Sequence, residues 1–170
     1  KYLSKMGPIV RDNHGYIDKY IGDSIMALFD RSPEDAVHTS VKMLDELREY
    51  NKERTQEGNN PILIGIGVNT GKMMLGTLGE SDRMEGSVIS DAVNLAARLE
   101  GLTNLYKTPL LLSEETLLKI GDSIFDTRLI DKVAVKGKEN PVMVYEVLNG
   151  EYPDLRDAKI STLPQFKKGF

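Results

Sequence analysis

The sequence predicts an α+β fold in which helices cover one mainly antiparallel sheet. Gly-Asp and Asn-Thr-Gly between short apolar runs are typical of hairpin turns. Ser-Pro-Glu-Asp at 32–35 is typical of a helix start, because serine caps the first turn and proline is tolerated there. Helical and hairpin segments alternate along the chain, and this alternation favours helices packed on an antiparallel sheet.

The composition indicates one ordinary globular domain. With 170 residues the chain can bury a core, since a domain of this size buries roughly 70% of its unfolded surface. The absence of cysteine excludes disulfides and thiolate metal sites and suits a reducing cytoplasmic setting, even if the parent protein is attached to a membrane. A net charge of −4 with interspersed signs argues against a nucleic-acid-binding surface. Because the chain begins at Lys1 within a predicted helix, we expect it to be part of a longer protein.

In the first half of the chain, apolar spacing predicts two helices and two hairpins. The predicted elements are a helix over 1–13, strands over 16–20 and 24–29, a helix over 33–51, and strands over 62–68 and 72–77. The first hairpin turns at 21–23 and the second at 69–71. Residues 79–86 are polar, and we expect them to be mobile.

The second half is predicted to open with an Ala- and Leu-rich helix around Asn94 and Arg98. The elements predicted after it are a strand over 109–112, a helix over 113–120, and strands near 125–135 and 142–148. Residues 149–170 are predicted to be a linker that can open a following helical module.

The most informative segment is Val93–Arg98, where a carboxamide and a guanidinium lie four residues apart. Residues at i and i+4 share one face of a helix, so Asn94 and Arg98 point the same way. The same helix carries an apolar stripe for the core, formed by Ala92, Leu95, Ala96, Leu99 and Leu102. Such a helix can hold an anion with an attached polar group, although exposed Asn and Arg side chains are also common on solvated helices.

Two further segments bear on binding chemistry. Asp23 directly follows a glycine, so its carboxylate can approach a hard divalent cation with little steric hindrance. The simpler interpretation of Asp23 and Lys19 is an aspartate in a turn near a solvated lysine. Lys136 and Lys138 flank a glycine, and they can clamp a polyphosphate or occupy an ordinary surface turn.

The glycine-rich stretch at 65–72 is not a phosphate-binding loop. Such a loop requires Gly-Lys followed by Ser or Thr and then a helix. Here Met73 follows Lys72, and the pattern predicts a hairpin instead.

These segments occur in the order found in the catalytic domains of class III nucleotidyl cyclases. Residues 15–29, GYIDKYIGDSIMALF, resemble the first hairpin of that family, and residues 65–71 resemble its next hairpin. Residues 88–100 resemble its signature helix, and residues 135–138 resemble its closing triphosphate strand. The resemblance covers residues 1–148, which would form the catalytic domain, and implies a ferredoxin-like palm.

The resemblance implies roles for single residues by position. Asp23 corresponds to one of two aspartates that bind a pair of Mg²⁺ or Mn²⁺ ions, and Lys136 corresponds to a lysine that grips the terminal phosphates. Asn94 corresponds to the residue that orients the ribose. Arg98 corresponds to the residue that supports the phosphate in the transition state.

Lys19 and Ser87 correspond to the pair that reads the purine, and their hydrogen-bonding groups favour adenine. Lysine only donates, which suits N1 of adenine, while a serine hydroxyl can accept from the exocyclic amine. Guanine presents the reverse pattern of donor and acceptor, so beside Lys19 and Ser87 it would leave buried groups unpaired. Guanine-selective relatives carry Glu and Cys at these two positions. We therefore expect an adenylate cyclase. Ser87 also resembles a subgroup with Thr or Ser at this place, which often responds to bicarbonate.

The resemblance also implies an assembly. The active site of the family forms between two subunits, so Asp23 of one chain would face the other site residues of a second chain. We expect a homodimer that binds ATP and acts in intracellular signalling, with room for an upstream sensor domain in the parent protein.

Two departures from the family pattern leave an alternative open. The first metal aspartate of the family lies on an opening strand with a Phe-x-Asp-like motif, which would precede Lys1. Without that strand the sheet should lack a central strand. Without that aspartate the chain alone should be nearly inactive. Ser90 stands where relatives usually have glycine and would be strained if its φ were positive. The alternative is a non-catalytic cyclase-homology module that dimerises or binds nucleotide for regulation. A diguanylate cyclase is disfavoured, because its Gly-Gly-Asp/Glu-Glu-Phe turn is absent.

Overall fold

Helices and strands alternate along the chain in this computed structural model. It describes residues 1–80, 83–121, 124–134 and 141–169, and of residues 75, 77–80 and 83–89 the backbone alone. The helices are α1 (Tyr2–Asp12), α2 (Pro33–Gln56), α3 (Asp91–Tyr106), α4 (Glu114–Ile120) and α5 (Pro153–Phe166). The strands are β1 (Gly15–Ile21), β2 (Ser24–Phe29), β3 (Ile66–Val68), β4 (Met74–Glu80), β5 (Arg83–Ile89), β6 (Leu110–Ser113), β7 (Thr127–Val133) and β8 (Val142–Val147).

Helix α2 begins where the sequence predicts and ends later. The Oγ of Ser32 accepts a hydrogen bond from the backbone N–H of Glu34 at 3.1 Å, as an N-cap does. The helix continues past the predicted end at Asn51 to Gln56, because residues with good helix propensity continue until Gly58, whose φ of +78° ends the helical path.

The strands form three sheets within the described residues. β1 and β2 form the predicted antiparallel hairpin, with Gly22 at a φ of +63° in the turn. β3 pairs in parallel with β6, and β8 pairs antiparallel with both β6 and β7, so the largest sheet has the order β3-β6-β8-β7. The α+β class is therefore confirmed, with one parallel pair among antiparallel ones.

The second predicted hairpin is wrong. Residues 62–68 do not pair with 72–77, because β4 instead pairs with β5, from Met74 opposite Ile89 to Glu80 opposite Arg83. Of the segment expected to be mobile, residues 79–80 and 83–86 belong to these two strands. Alternating apolar residues indicate that a strand forms, but they do not identify its partner, and parallel pairing joins segments far apart in sequence.

The core lies on both faces of the largest sheet. Leu110 and Leu112 of β6 pack toward α2 and α4, whereas Leu111 packs toward α3. All three side chains are fully buried. Because successive side chains of a strand point to opposite faces, this leucine run places a helix layer on each side.

The edges of β2 and β3 are among those that face no ladder partner in the described part of the chain. Among the described strands, β2 forms a ladder with β1 alone, and β3 forms one with β6 alone. Nevertheless both strands contact α2 and share an apolar cluster in which Met6, Val10 and Leu47 are buried. Two sheets therefore rest on one helix, and no strand ladder joins them within the described ranges.

The C-terminal helix α5 packs back on the sheet through charged groups, and none of its residues belongs to the buried core. Lys159 contacts the carboxylates of both Glu146 on β8 and Glu151. The Nη2 of Arg156 lies 2.5 Å from the Oδ2 of Asp126. A helix held by ion pairs lacks an apolar stripe, which explains why its sequence resembles a linker.

None of the helices in the described ranges has both the length and the apolar character that a crossing of the lipid bilayer requires.

Helix α3 lies directly on the backbone of β3, because glycines occupy the points of contact. A Cβ atom at Gly67 would lie 2.2 Å from the carbonyl oxygen of Ala96 and 2.4 Å from the backbone nitrogen of Glu100. Cβ atoms at Gly65 and Gly71 would also meet α3 closer than van der Waals contact allows. The glycines that suggest a phosphate loop thus position the helix that carries the candidate site.

We expect Gly67→Ala to lower the free energy of unfolding by about 3 kcal/mol, because the added methyl group meets helix backbone that cannot rotate away. Gly101→Ala on the same helix is the matched control, since a Cβ there meets nothing within 4 Å. Alanine is the better helix former, so this control should gain up to about 1 kcal/mol. Urea unfolding measures both, and equal stabilities would contradict the close approach of α3 to β3.

Candidate functional site

Asn94 and Arg98 lie on the exposed side of α3, as the sequence predicts. Leu95 and Leu99, each one residue further along the helix and turned toward the core, are 3% and 0% exposed. Among the described residues, neither the amide of Asn94 nor the guanidinium of Arg98 has a hydrogen-bond or ion-pair partner. The two side chains are therefore available to a ligand or to a second chain.

The start of α3 is capped by Ser90. Its φ is −166°, which is extended backbone, so the condition under which strain was expected at this residue is not met. The Oγ of Ser90 accepts from the backbone N–H of Ala92 at 3.0 Å and donates to the carbonyl of Lys72 at 2.6 Å. An N-cap residue adopts extended backbone, so serine suits this position as well as glycine would.

A polar network that the sequence analysis missed ties the first turn of α3 to β6 and α4. The Nδ2 of Asn69 donates to the carbonyl of Ala92 at 2.9 Å, and its Oδ1 accepts from the Oγ of Ser113 at 2.6 Å. Thr116 Oγ1 lies 3.2 Å from Ser113 Oγ and 3.1 Å from Thr70 Oγ1. The only sequence signals were the Asn-Thr pair in a predicted turn and the serine cap of α4.

The other end of α3 is joined to β7. The hydroxyl of Tyr106 donates to the carboxylate of Asp131. Burial, together with this hydrogen bond, raises the pKa of Tyr106 to about 12. The same hydrogen bond and one from the backbone N–H of Lys132 lower the pKa of Asp131. Helix α3 is thus held at both ends, and its exposed pair is presented from a rigid element.

An open cleft of about 340 Å³ lies beside the N-terminus of α3. Its walls are residues 69–74, which lead from β3 into β4, and residues 90–92. Pockets for small ligands begin at about 300 Å³, so the cleft is large enough for part of a nucleotide. Asn94 follows its wall within one helical turn.

Lys19 and Asp23 lie on the first hairpin. The side chain of Lys19 is 41% exposed, and its Nζ lies 3.2 Å from the Oδ2 of Asp18. Asp23 is exposed in the turn directly after Gly22. Burial, with a smaller effect of the Asp23 carboxylate, raises the pKa of Tyr2 at the start of α1.

Asp23 does not form a metal centre with the other described residues. Its exposed carboxylate is the kind of ligand that a hard divalent cation takes. However, the described ranges contain no group of three or more His, Cys, Asp or Glu placed to hold an ion. The donor type fits a divalent cation, but the number of donors does not complete a site.

Of the two remaining predicted residues, Ser87 and Lys136, the structure describes the position of Ser87. Ser87 lies on β5 opposite Gly76, and β5 contacts β1, so the strands of Ser87 and Lys19 are neighbours. Lys136 lies outside the described residues. Within the described part of the chain, no hydrogen bond or ion pair joins the α3 pair to the first hairpin.

Comparison with known proteins gives a consistent family. The family model described as the adenylate and guanylate cyclase catalytic domain matches residues 1–149. An adenylate cyclase of Anabaena cylindrica is 42% identical over 153 residues, which cover 86% of this chain and 30% of that protein. The terminal-differentiation-specific adenylate cyclase of Dictyostelium discoideum is 39% identical over 175 residues, which cover 99% of this chain and 8% of that protein.

A solved structure shows the same fold. The crystal structure of the guanylyl cyclase Cya2 matches with a TM-score of 0.73 and 31% identity, over 89% of this chain and 79% of that one. The similar proteins thus include cyclases named for either purine, and this chain spans less than a third of the two curated relatives. The match over residues 1–149, with these identities, shows that the chain belongs to the adenylate and guanylate cyclase catalytic domain family.

Proposed function

We propose that this chain is the catalytic part of an adenylate cyclase that converts ATP to 3′,5′-cyclic AMP and pyrophosphate. The observation that carries the proposal is the exposed Asn94–Arg98 pair on a helix held at both ends. Functional groups on a rigid element can hold a substrate in reactive geometry, which lowers the entropic part of the barrier.

The proposed reaction is an in-line displacement within one ATP molecule. The ribose 3′-oxygen loses its proton to solvent and forms a bond to the α-phosphorus. The bond from that phosphorus to the oxygen that bridges it to the β-phosphate breaks, and pyrophosphate leaves with that oxygen. Asn94 would orient the ribose by hydrogen bonding, so that the 3′-oxygen points at the phosphorus. Arg98 would stabilise the negative charge that develops on the phosphate oxygens.

The base preference follows from the donors and acceptors of Lys19 and Ser87. An ammonium donates to N1 of adenine, and a hydroxyl accepts from its amine. The contact between β1 and β5 supports a shared role of these two residues, since it makes their strands neighbours. Lys136 is proposed to bind the terminal phosphates.

The proposal includes a homodimer with shared active sites. Two exposed hairpins carry large apolar side chains that a second chain would cover, with Tyr16, Ile21 and Met74 at 62%, 62% and 76% exposed. Asp23 would then face the α3 pair of the partner. It would hold Mg²⁺ or Mn²⁺ with its carboxylate, and a bound divalent ion supplies positive charge to the phosphates. The proposal assigns a second metal carboxylate to the opening strand with the Phe-x-Asp-like motif that the family resemblance implies.

Mixing two inactive variants tests the proposal. We expect Asp23→Ala and Arg98→Ala, each in a chain extended by a strand with the Phe-x-Asp-like motif, to form almost no cyclic AMP from manganese-ATP. Random mixing should restore about a quarter of the wild-type rate, because half of the dimers regain one of two sites. Cyclic AMP measured by chromatography gives the rate, and a mixture as inactive as its components would contradict shared sites.

One observation favours the alternative, a regulatory nucleotide-binding or dimerisation module. The turn of the first hairpin offers one exposed carboxylate, Asp23, and the described residues contain no complete metal cluster. A module would bind ATP or dimerise without forming cyclic AMP in the same assay. An intracellular signalling role beneath an upstream sensor is part of the enzyme proposal.

A further inference from the structure

A buried carboxylate lies beside Lys19 and has no role in the chemistry proposed above. The side chain of Asp18 is 6% exposed, whereas that of Lys19 is 41% exposed. Asp18 Oδ2 has no hydrogen-bond partner in the described part of the chain, although it lies 3.2 Å from Lys19 Nζ. The contact is therefore an ion pair without the alignment of a hydrogen bond.

A β-bulge places these two neighbours together. Ile17 pairs with Ala27 and Lys19 pairs with Met26, so Asp18 is the extra residue of β1. Neighbouring residues of a regular strand point to opposite faces of the sheet. A bulge breaks this alternation and re-aims a side chain. The hairpin thus departs from regular pairing at the residue that lies beside the lysine.

The free energy of burying a carboxylate indicates that this ion pair stabilises the fold or serves the binding of a ligand. A carboxylate removed from water without hydrogen bonds is unfavourable unless a charge compensates it. Among the described residues, the ion-pair partner of Asp18 is Lys19. The ammonium carries three donors, so it can contact Asp18 and still donate to a molecule arriving from its exposed side.

We propose that Asp18 is a positioning residue that holds the ammonium of Lys19 in place for the purine and so sharpens the preference for adenine over guanine. The inference rests on the proposed function, because that function assigns Lys19 to the base. A donor held in one place suits the N1 acceptor of adenine and opposes the N1–H donor of guanine. A lysine released from Asp18 can move away from guanine and tolerate it.

Steady-state kinetics with ATP and GTP test the positioning role. In the cyclase assay, Asp18→Asn should raise the KM for ATP on the order of fivefold with kcat nearly unchanged, because ground-state contact with the base is lost. The ratio of kcat/KM for ATP to that for GTP should fall by a similar factor. Asp18→Glu, which keeps the charge, should recover part of the ratio. Asp30→Asn is the control, since Asp30 is exposed and follows the same hairpin.

Chemical labelling provides a readout that does not need turnover. Trace acetylation with acetic anhydride, followed by mass spectrometry, should modify Lys19 on the order of fivefold faster in Asp18→Asn, since the ion pair no longer holds the amine. The exposed Lys132 serves as the internal control and should react equally in both chains. Unchanged labelling of Lys19 overturns the proposal, and so does a lower thermal midpoint with unchanged KM and base preference.

Lys19→Ala separates the two kinds of failure. If Lys19→Ala keeps the full preference for ATP, the purine role of Lys19 is wrong and the proposed base selectivity fails with it. If Lys19→Ala loses that preference while Asp18→Asn keeps it, the positioning role alone is overturned. Loss of the preference in both variants, with no further loss when they are combined, supports the proposal.

Discussion

Arg98→Ala is expected to slow the cyclisation of ATP roughly 10³-fold, with a much smaller change in KM. The guanidinium has no partner in the described part of its own chain, so its removal should leave the fold intact. Arg98 would contact the phosphate most strongly when charge develops on it, and an interaction made only in the transition state lowers kcat rather than ground-state binding. Initial rates of cyclic AMP formation at saturating manganese-ATP measure this change.

Two further variants interpret the result. Arg11→Ala removes an exposed arginine on α1 that has no ion pair among the described residues, and it should cyclise ATP at the wild-type rate. Arg98→Lys keeps the charge but not the planar pair of donors, so we expect a rate between those of alanine and wild type. A folded Arg98→Ala enzyme that works at the wild-type rate would show that the assignment is wrong.

Glu146→Gln is expected to lower the free energy of unfolding by about 3–5 kcal/mol, the typical effect of removing one partner from a buried ion pair. The side chain of Glu146 is 0% exposed and contacts Arg128 and Lys159, whose side chains are 16% and 13% exposed. Its Oε1 also accepts from Thr108 Oγ1 at 2.7 Å. Among the described residues, the variant would leave Lys159 with Glu151 as its ion-pair partner and Arg128 without a carboxylate partner.

Urea unfolding measures this effect. Glu115→Gln is the matched control, because Glu115 is exposed on α4 and should change the stability by less than about 0.5 kcal/mol. A Glu146→Gln chain within 1 kcal/mol of wild type would contradict the idea that these ion pairs hold α5 and the sheet together.

The same cluster predicts a pH dependence of stability. Burial alone would raise the pKa of Glu146, but hydrogen bonds from Lys159, Glu151 and Thr108 together hold this pKa below 4.5. A carboxyl with a lowered pKa contributes stability above its unfolded value, and that contribution disappears as pH falls through the folded pKa. Wild type should therefore lose stability below about pH 4.5, and Glu146→Gln should lose less. Burial raises the pKa of Glu151, so protonation of Glu151 above that range favours the folded state slightly.

Local signals in the sequence predict the elements whose causes are local. Ser32 caps α2 and the Gly-Asp turn closes the first hairpin, because both depend on residues a few positions apart. The division of α3 into a buried side with Leu99 and an exposed side with Arg98 is likewise a matter of helical spacing. These features also carry the resemblance that leads to the cyclase family.

Other features depend on residues distant in sequence. For these features the sequence-based predictions are wrong or were not made. The partner of β3 is β6 rather than β4. A parallel partner lies far along the chain, so the residues of the turn after β3 do not identify it. The contacts of Asn69 with α3 and β6 cross more than twenty positions of the chain. The bulge at Asp18 appears only in the register of β1 against β2.

The sequence by itself therefore determined the fold class, the family and the side of α3 that faces outward, because periodicity and short motifs encode them. The tertiary structure decided which strands pair, why the glycines of 65–71 are needed and how Ser90 is accommodated. It also decided that a buried aspartate lies beside Lys19. The physical reason is that close approach, burial and ion pairing arise only when separate segments meet in space.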